Sequence, residues 1–406
     1  MSTRYGLSPW IHQFPHSRIP NLPVITGDQR APVVIIGGGL TGCATAYVFA
    51  AAGVPVVLLE AGRLGRGASG HAAGLLLPDP GPSFLDTERA LGLRAARAMF
   101  QAWRHAALDG AATLRRLKIP CGLEPCDTLD VVADRDDEKR LRRDLLARTD
   151  AGLDASALTR AAIARDAGLD RLSGLRMHDA FGLDPYRAAV GLARAARARG
   201  AQLFERSAVT KVKARRHDVE IHTARATLIV ERVIVTTGLA TAEFRSLQRH
   251  FTPRDTYLAL TEPLAASVRK TLGSRGATVR DLRSPRRRVR LAGDRLLVAG
   301  ADQKPVAARQ RDATLVQRTG QLMYELLTMY PAIQGLRPEY GWSVTNGDTA
   351  DRLPYVGPHR NFPRHLFALG AGGDGVTSAF LAGRLLLRCH QDAADRADAL
   401  WAFTRG

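Results

Sequence analysis

Three glycines and one glutamate are spaced for chemistry. Gly37, Gly39 and Gly42 form G-x-G-x-x-G, and Glu60 follows 18 residues after Gly42. In this spacing the first glycine permits a tight turn, the second lets backbone approach a pyrophosphate closely, and the third lets helix pack closely on strand. A helix starting there offers free N–H groups and its positive dipole end to phosphate. A carboxylate ending the next strand can accept both hydroxyls of an adenosine ribose. The elements that must hold these groups are legible around them. Residues 33–36 are a β-branched run suited to a buried parallel strand, a small-residue helix follows, and residues 54–59 form a second strand that ends at Glu60. A glycine-rich turn with no ligand leaves Glu60 unexplained. The reading is a dinucleotide with an unphosphorylated ribose, and FAD and NAD both satisfy it.

The next stretch, "GASGHAAGLLLP" (67–78), sets one imidazole, His71, among residues too small to hide it. Far downstream, residues 366–369 read as a strand, "GAGGDGVT" as a second glycine-rich turn, and 378–387 as a helix with an apolar stripe. A second helix N-terminus at Val376 and Thr377 is thereby offered to a polar part of the same long ligand. Between the two turns, a helix from Pro185 leads to a strand at 202–205, and a strand at 232–236 ends at Gly238.

Composition bounds the rest. The chain has 406 residues, 45% hydrophobic and 24% charged, which suits two domains. Four cysteines, at 43, 121, 126 and 389, are too few for a disulfide framework and complete no zinc pattern. This reads as a reduced, cytoplasmic protein. The net charge of +19 admits a nucleic-acid partner. The basic residues are nearly all Arg, scattered through Ala/Arg/Leu helices, which favours solvated helix faces instead. Residues 31–59 carry no charge, but the glycines and Pro55 within them argue against a membrane span. The first 30 residues lack the apolar core of a signal peptide and read as an extended arm over the first domain.

Together, "VVIIGGGLTG", "LLEAGRLGRGASG", "LDPYR", "VTTG", "LALTEPL" and "LPYVG…LFALGAGGDGVTSA" resemble a known family from about residue 8 to about 388. It is the family of FAD-dependent amine and amino-acid oxidoreductases that includes D-amino-acid oxidase, glycine oxidase and sarcosine oxidase. The arm with "SPW" looks most like the gamma-glutamylputrescine oxidoreductase-like branch. The resemblance implies an α/β fold: a Rossmann-type, glutathione-reductase-like FAD-binding domain and a second α+β substrate domain whose sheet roofs the flavin. It implies an arm at 1–29, an FAD-binding domain from 30–85, 175–245 and 342–395, a substrate domain from 86–174 and 246–341, and a tail at 396–406. Helices are expected to dominate 86–174, with strands at 256–261 and 295–299.

The same resemblance distributes roles. Gly37, Gly39 and Gly42 face the pyrophosphate. Glu60, with Ala61 and Arg63 beside it, takes the adenosine ribose. Ser69, His71, Ala73, Gly74 and Leu75 lie along the ribityl chain and flavin. Val209 contacts adenine, and Gly238 closes its strand. Gly372, Gly373, Asp374, Gly375, Val376 and Thr377 approach the flavin pyrimidine ring. In some superfamily members a histidine before Ala-Ala-Gly-Leu is joined to the flavin. His71 is therefore read either as a covalent attachment point or as a non-covalent neighbour of the ring.

On the substrate side the candidates are Arg286, Arg288, Tyr257, Trp342 and Thr345. Thr345 stands where glycine-oxidase-like relatives carry a carboxylate-binding Arg. In an extended "RSPRRRVRLAGD" (283–294), Arg286, Arg288 and Arg290 share one face, which suits an anionic substrate; a solvated basic edge strand is the other reading. The implied reaction is oxidation of a C–N bond, with hydride passing to the flavin N5 and water hydrolysing the imine. The implied partners are a small amine or amino acid and O2 or another electron acceptor. A flavin-dependent tRNA-modification oxidase and a flavoprotein subunit awaiting a partner chain are the alternatives.

Overall fold

The computed structural model describes residues 2–273, 276–282 and 286–405. Two sheets organise them. In the first, strands run in the order Tyr355–His359, Phe362–Leu369, Thr227–Gly238, Gln29–Ile36, Val56–Leu59 and Gln202–Phe204. The pairings of Gln29–Ile36 with Val56–Leu59 and with Thr227–Gly238 are parallel. Buried on both faces, such strands read as continuous apolar runs, and Val33, Val34 and Ile35 are 0% exposed. Helices Leu40–Ala51, Pro185–Arg197 and Gly375–His390 pack together over one face. The helix Leu40–Ala51 has buried residues on every side, so its small side chains (Gly42, Ala44, Ala46) let neighbours approach closely.

The second sheet has ten strands, in the order Arg4–Tyr5, Pro338–Asp348, Thr252–Thr261, Arg295–Gln303, Arg287–Ala292, Thr278–Asp281, Glu124–Val132, Ser173–Gly182 and Leu75–Leu76, with Ser156–Thr159 beside Ser173–Gly182. Helices Arg311–Met329 and Arg160–Ala167 cover one face. The other face meets the first domain, where Leu258, Leu260, Leu297, Ala299, Trp342 and Val344 pack with Ala73 and Trp10. A sheet alternates its side chains between faces, so this division decides which residues face the first sheet and its loops.

The chain changes sheets near, but not at, the expected boundaries. Leu75–Leu76, Ser173–Gly182 and Pro338–Asp348 all belong to the roofing sheet, because their pairing partners are there. The region 86–174 holds the strands Glu124–Val132 and Ser156–Thr159 as well as its helices. The arm is not simply extended over the first domain. It forms the strand Arg4–Tyr5, parallel to Pro338–Asp348, and a short helix Pro9–His12. The tail packs too: Trp401 is 1% exposed and its ring stacks on Trp103 at 5.9 Å. One buried ionic network ties the crossing chain to the roof. Arg148 binds Asp144 at 2.7 Å and Asp79 at 3.0 Å, while Arg280 reaches Asp79 at 3.1 Å and also holds Asp130.

Candidate cofactor site

Gly37 ends the first strand at φ +107°, a left-handed conformation that glycine adopts without strain. A Cβ on Gly42 would lie 1.9 Å from the Gly37 carbonyl oxygen. The helix therefore starts directly against the turn. Gly39 precedes it with φ −70°, so no special backbone is needed there. A Cβ on Gly39 would instead meet the Ser69 hydroxyl at 3.1 Å. That hydroxyl accepts the Leu40 N–H at 2.8 Å, which leaves the following amides of the first turn without intrahelical acceptors. Glu60 follows the second strand, and its two carboxylate oxygens accept the N–H groups of Gly38 and Gly62, each at 2.7 Å. Ala61 and Arg63 stand exposed beyond it. The side-chain-free cradle, the free helix amides and the fixed carboxylate fit a dinucleotide.

The segment after Ser69 is a single helical turn, Ala68–His71. His71 is half-buried, with Nδ1 3.0 Å from the Gly67 carbonyl oxygen. Its own carbonyl accepts the Trp342 indole N–H at 2.8 Å. Gly74 turns at φ +68°, where a Cβ would come within 2.1 Å of the Leu183 carbonyl oxygen. Leu75 then enters the roofing sheet opposite Gly182. Val209 is half-buried at the edge of the cluster under the first sheet.

The second glycine-rich turn lies next to the first. Gly238 turns at φ +79° and its carbonyl accepts the Gly370 N–H at 2.9 Å, joining two strand ends. Gly372 has φ +54°, and residues Gly372–Asp374 make a 3₁₀ turn. The helix then begins at Gly375, one residue before the expected Val376. The Asp374 side chain lies outside the described residues. Val376 is buried. The Thr377 hydroxyl donates to the Leu77 carbonyl at 2.9 Å and accepts the Leu77 N–H at 2.8 Å. It ties the two crossing segments together.

Sheet alternation sorts the substrate-side candidates. Trp342 is 0% exposed and faces the His71 segment. Tyr257 faces the opposite way, into the cluster under the helix Arg311–Met329, with its hydroxyl accepting from Gln303 Nε2 at 2.9 Å. Thr345 lies opposite Asp255 on that same far side and donates to its carboxylate at 2.6 Å. Neither Tyr257 nor Thr345 shares the sheet face of Trp342. Asn346, one residue on in the same strand, returns to the Trp342 face. Counting in twos from Trp342 would have found it.

The arginines divide by the same rule. Arg287 is buried against Glu325 on the covering helix. Arg288 points the other way and donates to the Gly373 carbonyl at 3.1 Å. Arg286, open to solvent, precedes it on that side. Partial desolvation, then the charges of Arg352, Arg280 and Arg288, hold its pKa below the usual range. Arg290 is the residue whose part was least visible in the sequence. It is 7% exposed and donates to the carbonyls of Ala73 at 2.9 Å and Leu183 at 3.2 Å. Burial lowers its pKa to about 10. Asp184, the N-cap of Pro185–Arg197, is pushed up to about 6 by burial, which outweighs the Arg187 and Tyr186 amides and the Arg187 charge.

A family profile described as FAD dependent oxidoreductase matches residues 32–388. The gamma-glutamylputrescine oxidoreductase of Escherichia coli (strain K12) is 28% identical over 375 residues, covering 90% of this chain and 85% of that protein. The glycine oxidase of Bacillus licheniformis is 24% identical over 370 residues, covering 88% of this chain and 92% of that protein. The crystal structure of glycine oxidase from Geobacillus kaustophilus superposes with a TM-score of 0.77 at 21% identity, over 93% of this chain and 99% of that one. No helix among the described residues is long and apolar enough to cross a membrane. With its two glycine-rich turns and its second sheet, the chain belongs to the family of FAD-dependent oxidoreductases.

Proposed function

We propose that this enzyme oxidises a C–N bond in a small amine or amino acid that carries an acidic group. The observation that carries this reading is the set of arginines on the cofactor-facing side of the roof. Arg288 reaches the Gly373 carbonyl, and Arg286 beside it has no hydrogen-bond or ion-pair partner among the described residues. Like charges gathered at a cleft are costly, and a carboxylate or phosphate bound bidentately relieves that cost. Bound FAD would supply the acceptor for the hydride that leaves carbon. The chain supplies position and dryness. Trp342, Leu258 and Val344 form an apolar wall that excludes water and favours the neutral amine. Glu60 and the first helix would hold the adenosine half, and the helix from Gly375 would place its positive end toward the ring.

The finer reading of His71 is covalent attachment. Nδ1 faces the Gly67 carbonyl oxygen, and Nε2 has no hydrogen-bond partner among the described residues. Acid precipitation tests this. Colour in the pellet, lost to the supernatant in His71→Ala, supports attachment; free FAD in the supernatant of the native enzyme overturns it.

Anaerobic bleaching of the flavin band by a panel of amines tests the activity. The expected result is bleaching by amines bearing a carboxylate, with a carbonyl compound and a free amine as products, and a raised KM in Arg286→Gln for the acidic substrates alone. Bleaching by hydroxy acids but by no amine would overturn the assignment. Repeating turnover with O2 and with an artificial acceptor distinguishes oxidase from dehydrogenase.

A further inference from the structure

Four consecutive carbonyls beside the cofactor site are each held by a side chain remote in sequence. The Ser8 hydroxyl donates to Gly70, the Trp342 indole to His71 at 2.8 Å, the Trp10 indole to Ala72 at 3.0 Å and Arg290 to Ala73 at 2.9 Å. The helical turn Ala68–His71 is too short to satisfy these groups itself, since a helix end always leaves its last carbonyls without partners. Two of the four donors come from the N-terminal arm.

The arm is anchored on both domains. Its strand Arg4–Tyr5 extends the roofing sheet, and the Tyr340 hydroxyl lies 3.0 Å from His12 Nδ1. On the other side Ile11 and Phe14 pack on Tyr186 and Val190 of the first domain. Ile11 presses on the loop directly, because a Cβ on Gly70 would fall 2.8 Å from its Cδ1. The Trp10 ring lies under the Arg290 guanidinium at 5.5 Å. The loop is rich in glycine and alanine, so its own side chains cannot fix its backbone. Its conformation is imposed from outside.

We propose that residues 2–14 are a clamp on the cofactor loop, with Ser8 and Trp10 as positioning residues for FAD. The inference rests on reading residues 69–74 as the flavin-side loop. With carbonyls 70–73 drawn outward, the loop is held in one shape before FAD arrives. Without the arm, ordering the loop must be repaid on binding, which weakens affinity. Linkage requires the converse: FAD must tighten the arm.

The test uses the full-length chain, stripped of FAD and reloaded. Trypsin can cut the arm after the exposed Arg18. FAD is expected to slow that cut markedly. Trp10→Phe keeps the ring and loses the N–H, and Ser8→Ala loses its hydroxyl. Each is expected to raise the Kd for FAD by about tenfold. Each is also expected to speed cleavage of the loaded form and to lower the melting temperature of the loaded form by more than that of the FAD-free form, which loses only the cap and hydrogen bond. A merely structural arm would instead lower both melting temperatures equally and leave the FAD-dependent protection intact, which overturns the proposal. So does native affinity in both variants. A native chain that binds no FAD overturns the site reading as well, so the two failures are distinguishable. If a variant does not fold, the protection experiment on the native chain decides alone.

Discussion

Two glycines of the same motif are expected to fail in different ways when each becomes alanine. At Gly42 the new Cβ would sit 1.9 Å from the Gly37 carbonyl oxygen, about 1.5 Å short of the 3.4 Å at which ordinary contact begins. The carbonyl oxygen is backbone and the Cβ position is fixed by the backbone, so no rotamer change relieves the clash. The helix Leu40–Ala51 must move off the strand it packs on. Overpacking of this kind costs about 1–3 kcal/mol, and it displaces the amides that would bind phosphate. At Gly39 the Cβ would meet only a hydroxyl, at 3.1 Å, and the backbone at φ −70° accepts alanine. Gly39→Ala is therefore expected to leave the FAD-free protein nearly as stable as before and to weaken FAD binding. Gly42→Ala is expected to lower stability and FAD affinity together. Urea unfolding of the FAD-free proteins and titration with FAD measure the two quantities separately. Equal stability of the Gly42→Ala and native FAD-free proteins would refute the packing argument. Unchanged FAD affinity in Gly39→Ala would refute the close-approach argument.

Burial raises the Asp184 pKa to about 6, so the folded state holds that proton more tightly than the unfolded chain does. This group's contribution to stability is thus greatest below pH ~4 and falls as pH rises to ~6, by at most about 3 kcal/mol. Asp184→Asn should flatten that part of a stability-versus-pH curve, and an unchanged slope would exclude the assignment. Thr377→Val should leave the Leu77 N–H and carbonyl without their partner and cost about 2–3 kcal/mol in unfolding free energy, whereas Thr377→Ser should restore most of it. Asp79→Ala removes the carboxylate shared by Arg148 and Arg280, both buried, and should destabilise by about 3–5 kcal/mol by denaturant titration; a loss below 1 kcal/mol would show that water compensates those charges.

The local parts of the site are legible in the residues alone. A strand, a glycine-spaced turn, a helix and an acid at the next strand end are contiguous, and each follows from backbone geometry and hydrogen bonding within about 30 residues. The second glycine-rich turn and the alternation of arginines 286, 288 and 290 are equally local. Which face of the roof turns toward the first sheet is set by packing between segments far apart in the chain. Alternation divides a strand into two sets, but nothing within the strand says which set is covered by the helix Arg311–Met329. For that reason sequence reasoning groups Tyr257 and Thr345 with Trp342, whose sheet face they do not share, and passes over Asn346, which does share it. The arm is hidden in the same way. Ser8 and Trp10 meet the loop across 62 residues of sequence, and no periodicity links a donor to a carbonyl that far away. Arg290 carries the same lesson. Composition marks it as one more surface arginine, while the fold buries it among carbonyls that only chain crossings bring together.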